Sequence, residues 1–314
     1  MSGLRKGAGI VLADCLGAQP GETLLVVTDP SRRRIGEAVY RRGLELGLLS
    51  HLLVMPETEI SGAEPPALVA EAMKNASIVV CPTRFSLTHT AARREASERG
   101  ARVATMPGIT EEMFGAGAIT ADYREVAALS DRVTEILSRG ERARIEKDGR
   151  ALDMSLAGRR GVSSNGLYHS PGSSGNLPTG EGYIAPVEGT AEGTVVIDGS
   201  LGGLGVVSGP LEVRFEKGLA VEFSGPDAEW LRSRLSTPES RNLAELGVGT
   251  NRKARLMGNL LEDEKVYGTI HIAFGSNATF GGTVSAGLHI DGIILGATLI
   301  VDGRVLVTGG DVVV

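Results

Sequence analysis

Between residues 23 and 139 short apolar runs alternate with amphipathic stretches, and this alternation constrains the chain more than any other feature. "TLLVVTD" (23–29) has the character of a buried strand and is followed by the helical "SRRRIGEAVYRRGLELG". "HLLVM" (51–55), a helix near "PPALVAEAMKNA", "SIVVCP" (77–82), the helix "THTAARREASERG" (88–100), "ARVATMPG" and the periodic stretch 121–139 continue the series. Strand followed by helix, repeated, predicts a parallel sheet with helices on its faces, a Rossmann-like domain over residues 1–139. The turn after the first strand, "TDPSRRRIG", has no G-x-G-x-x-G, so no dinucleotide site is expected there.

From about residue 140 the texture changes. "RARIEKDGRALDMSLAGRR" alternates around Asp148-Gly149, and "LEVRFEKGLAVEFSG" alternates around Lys217-Gly218, both strong hairpin signals. "GTVVIDGS", "TIHIAFG", "GLHIDGIIL" and "ATLIVDGRVLV" extend the pattern, with helices expected at about 226–235 and 238–246. The 44 glycines carry no G-x-y period and so mark tight turns, not collagen or disorder. "GSLGGLG" (199–205) is read as a turn or bulge, because strand signals flank it on both sides. Residues 140–314 are therefore expected to form a mainly antiparallel β-rich domain.

A net charge of −6 argues against a nucleic-acid or anionic-membrane partner and leaves a small molecule or short peptide. Cys15 and Cys81 are isolated, which provides neither a disulfide framework nor a cysteine zinc site. With no apolar stretch of transmembrane length and no leader-like N-terminus, the chain is expected to be cytoplasmic.

Chemistry concentrates near the C-terminus. In a strand, residues two apart point to one face, so His289 and Asp291 of "GLHIDGIIL" emerge side by side. The plain alternative is a core histidine bonded to a neighbouring aspartate. With His271 of "GTIHIAFG", however, the pair makes a two-His-one-carboxylate set that suits a divalent metal with open positions. Glu181 follows a Pro-Thr-Gly turn, and Glu245 is read near the end of the short helix; each taken alone is an ordinary surface glutamate. No G-x-S-x-G occurs, and Cys81 has no evident base partner. His89, at the start of its helix, is expected to be a helix-start or interface residue, and the first domain to contribute no catalytic side chain.

"NLPTGEGYIAP", "LAELGVG", "HIAFG" and "LHIDG", in that order, with "THTAARREASERGARVATMPGITEEM" upstream, resemble the M29 metallo-aminopeptidases, the aminopeptidase T and S group. The resemblance covers essentially the whole chain. It implies two adjacent divalent ions (zinc, cobalt, manganese or magnesium) held by Glu181, Glu245, His271, His289 and Asp291. A metal-bound water would be the nucleophile at the N-terminal peptide bond. It also implies a homodimer. Where family members have a tyrosine after the H-I-A histidine, this chain has Ala278; Tyr183 and Tyr267 lie near ligand motifs and are expected as packed strand tyrosines, with replacement of that hydrogen-bond donor the alternative for either. The same family is related to 2,5-dihydroxypyridine 5,6-dioxygenase. That is the alternative expectation: a single iron(II) on His271, His289 and Asp291, opening an aromatic ring.

Overall fold

The structure, a computed structural model, describes residues 2–314. The fold is mixed α/β, with a five-stranded parallel sheet and two antiparallel sheets of eight and seven strands. The chain forms two units, residues 1–125 with 166–179, and residues 126–165 with 180–314.

In the first unit the strands run in the order Leu49–Val54, Thr23–Thr28, Ile78–Thr83, Arg102–Pro107, Ser174–Asn176, all parallel. Four of them come from the apolar runs of the sequence. The fifth, with the polar sequence Ser-Gly-Asn, carries no strand pattern and is strand only because it pairs with Arg102–Pro107. Val27, Val79, Cys81 and Val103 pack with Val69 and Met73 of one helix and Ala92 and Ala96 of another. Thr90, not His89, caps the helix Ala91–Glu98, its hydroxyl accepting from the Arg93 amide. His89 is exposed just before that cap.

The units are not divided at a single point in the chain. The helix Tyr123–Arg139, which closes the strand–helix series in the sequence, places Val133 and Leu137 in the apolar core of the second unit, while residues 166–179 belong to the first. Amphipathic period tells which face of a helix is apolar, but not which sheet receives it.

The second unit is a sandwich of the two antiparallel sheets. Its hairpins turn where the sequence signals them: Asp148-Gly149 (φ 49° and 73°) and Lys217-Gly218 (48° and 79°), with Asp302-Gly303 (48° and 78°) a third of the same kind. Two successive positive φ angles give the turn whose twist matches the flanking strands. Val195, Ile197, Leu211 and Phe215 from one sheet meet Ile184, Leu246, Val248, Ile272, Phe274 and Ile290 from the other, and Phe215 stacks on Phe274 with ring centroids 5.8 Å apart. The expected helix at 238–246 is corrected to a single 3-10 turn, Glu239–Arg241, followed by the strand Leu243–Gly249. Pairing with a strand on each side overrides the weak local helix preference of "NLAEL". Among the described residues no helix is long and apolar enough to cross a membrane.

Candidate metal centre

Four neighbouring strands of the seven-stranded sheet, Glu181–Ile184, Leu243–Gly249, Ile270–Gly275 and His289–Ile294, build the site. Their register aligns Glu181 with Gly249, Gly247 with His271, Glu245 with Ala273, Ala273 with Asp291, and Gly275 with His289. Opposed residues share a face, so Glu181, Glu245, His271, His289 and Asp291 all stand on one side. The intervening Leu246, Val248, Ile272, Phe274 and Ile290 face the core. The polar face is floored by Gly247, Gly249, Ala273 and Gly275, whose small size lets the long side chains lean toward one another.

Glu181, Glu245 and His271 each place a ligand atom within 4.8 Å of the other two, and so do Glu245, His289 and Asp291. Glu245 joins the two groups, its Oε1 lying 3.2 Å from His271 Nε2 and its Oε2 3.5 Å from His289 Nε2. His271 Nε2 is also 3.3 Å from Glu181 Oε2, and His289 Nε2 is 3.3 Å from Asp291 Oδ1. All five residues foreseen from the sequence are thus brought together. His89 lies in the first unit and belongs to neither of these two groups.

Electrostatics favour a cation here. Burial pushes the His271 imidazole down, but Glu245 and Glu181 more than reverse this and leave it at about 9. For His289, burial is likewise outweighed by Asp291 and Glu245, and the ring rises to about 10. Asp291 is lowered despite its burial, because His289 faces it. Glu181 Oε2 is buried and faces His271 Nε2, while its Oε1 lies against the Lys265 ammonium. His289 Nδ1 donates to the Ser276 carbonyl at 2.8 Å, which orients the ring and leaves Nε2 to face the carboxylates, the usual support of a ligating histidine. Two imidazoles and three carboxylates therefore fit a divalent metal.

Three residues escaped the sequence reading. Lys265 is buried, with Nζ 2.6 Å from Glu181 Oε1 and a second contact to Glu264. Phe280, two residues beyond Ala278, sits edge-on between Tyr183 and His289 at centroid distances of 5.5 and 5.8 Å. Gly247 lies under the His271 ring. No spacing rule links Lys265 to Glu181. The alternation of Glu245, Gly247 and Gly249, in contrast, was a readable sign of a small-residue strand face. Tyr267 is no candidate for the missing tyrosine: its ring faces the Arg252 guanidinium, and its hydroxyl accepts from the Val312 amide.

The fold is M29-like, as the motifs implied. Within it, the chain belongs to the 2,5-dihydroxypyridine 5,6-dioxygenase family, NicX, whose profile matches residues 17–314. The curated 2,5-dihydroxypyridine 5,6-dioxygenase of Pseudomonas putida KT2440 is 26% identical over 173 residues, 48% of either chain. The match thus spans about half the length of that relative. The solved 2,5-dihydroxypyridine dioxygenase from Pseudomonas putida KT2440 has the same fold, with a TM-score of 0.85 at 18% identity over 99% of this chain and 96% of that one. Wild-type AmpT from Thermus thermophilus shares it with a TM-score of 0.73 at 19% identity over 99% of both chains. The expectation of a metallo-aminopeptidase is corrected by these findings: the family and the curated relative are named for a dioxygenase, an oxidoreductase and not a hydrolase. The motifs behind that expectation lie on a fold common to both groups, and the same donor types serve either chemistry.

Proposed function

We propose that this chain is a ring-cleaving dioxygenase acting on a dihydroxylated pyridine, with a single iron(II) held by His271, His289 and Asp291. The observation that carries the reading is the placement of these three side chains on one sheet face, with Glu245 3.2 Å from His271 Nε2 and 3.5 Å from His289 Nε2, in a chain matching this family over residues 17–314. Iron(II) on two imidazoles and one carboxylate would supply open positions at which dioxygen and a ring oxygen meet.

The remaining work falls to the chain's own residues. Ser276 fixes the His289 ring through its carbonyl. Glu245, between both histidine nitrogens, is placed to take the proton of a ring hydroxyl. Tyr183 and Phe280 offer aromatic surface beside His289, suited to a flat heteroaromatic ring. The reaction balances without a co-reductant: one ring carbon–carbon bond breaks, and each of the two carbons takes one atom of dioxygen.

The test is iron(II) reconstitution without air, followed by oxygen uptake and loss of substrate absorbance with 2,5-dihydroxypyridine. One oxygen consumed per substrate is the expected result. Iron-loaded, folded protein that consumes none would overturn the proposal.

A further inference from the structure

Lys265 is the buried charged group that neither ligation nor proton transfer uses. Its side chain is 1% exposed, and a lysine so deeply buried must be paired. The ammonium lies between two carboxylates, 2.6 Å from Glu181 Oε1 and in contact with Glu264. Glu181 is also the carboxylate that would define a second metal position, with Glu245 and His271. A metal binds a carboxylate oxygen at about 2.0–2.2 Å, so the ammonium already takes the approach to Oε1. A dication on the same carboxylate would sit beside a fixed positive charge where little water screens the two.

We infer that the Lys265 ammonium replaces a second cation at the Glu181 end of the site, so that the centre accepts a single metal ion. This inference rests on the mononuclear reading above and supplies its cause. Lys265 is accordingly a positioning residue: it holds Glu181 out of the ligand set and selects one-metal chemistry on a donor set large enough for two ions.

The probe is Mn2+ added to metal-free protein, with bound metal counted and its electron paramagnetic resonance recorded. Wild type is expected to bind one equivalent and give the spectrum of an isolated ion. Lys265→Met should bind a second equivalent and give an exchange-coupled spectrum. Glu181→Gln should still bind one equivalent, with affinity within about 10-fold of wild type, the lower end of the losses seen for groups supporting a ligand. Two equivalents in wild type, a folded Lys265→Met that stays at one, or a Glu181→Gln that loses its metal would each overturn the inference. If Lys265→Met does not fold, wild type and Glu181→Gln decide the matter. One equivalent with no oxygen uptake on 2,5-dihydroxypyridine would remove the functional proposal and leave the role of Lys265 standing; two equivalents with uptake would remove the role of Lys265 and the single-metal count and leave the ring-cleaving reaction standing.

Discussion

Gly247 lies directly across from His271 on the neighbouring strand, and a Cβ at 247 would come within 2.0 Å of His271 Nε2. The imidazole occupies the space where any other residue would have a side chain, which ties the ligand's position to the absence of a Cβ next door. Gly247→Ala is expected to displace the ring, weaken metal binding by about 10–100-fold, and destabilise the fold by about 1–3 kcal/mol through overpacking. Metal titration and thermal melting read the two effects. An alanine variant with wild-type affinity would show that His271 is not held by this contact.

The two histidines singled out in separate units should behave differently. His289→Ala removes a nitrogen that faces Glu245 and Asp291 and should abolish iron retention and oxygen uptake together. His89→Ala, at an exposed position just outside the Thr90 cap, should keep both within about 2-fold, as surface substitutions usually change little. Elemental analysis after desalting is sufficient to compare them. Equal loss in both would move part of the chemistry into the first unit.

Phe280 separates substrate recognition from metal binding. Its ring meets Tyr183 and His289 edge-on but provides no ligand atom. Phe280→Ala is expected to raise KM for 2,5-dihydroxypyridine by about 2–10-fold, in line with the worth of one aromatic contact, while the iron content stays unchanged. Steady-state kinetics beside metal analysis check this, and a variant with unaltered KM would take Phe280 out of the substrate's surroundings.

Both cysteines should be inert in the folded protein. Burial pushes the Cys81 thiol up to about 12, and raises Cys15 well above the usual thiol range with help from Asp14. Because the thiolate is the reactive form, a thiol reagent at pH 8 should label neither while the protein is folded and both in denaturant. Rapid labelling of either in native conditions would contradict the buried positions found for them.

What the sequence determined by itself was local. The parallel sheet could be read from apolar runs set between amphipathic stretches, and the Asp148-Gly149 and Lys217-Gly218 turns from residues suited to positive φ. The shared face of His289 and Asp291 followed from the two-residue period of a strand. Motif resemblance added Glu181 and Glu245 to the set of His271, His289 and Asp291, but it could not choose between two reaction classes whose motifs lie on one fold.

Tertiary structure decided the rest. Glu245 is on a strand and not a helix because Tyr183 and His271 flank that strand at Gly247. Ser174–Asn176 is a strand only through its partner. Lys265 meets Glu181 across 84 positions of sequence, and Phe280 reaches His289 from the loop between two strands. Backbone angles and periodicity are set by adjacent residues and are written in order along the chain. Which ammonium neutralises which carboxylate depends on strand register and loop path, which exist only once the whole core has closed.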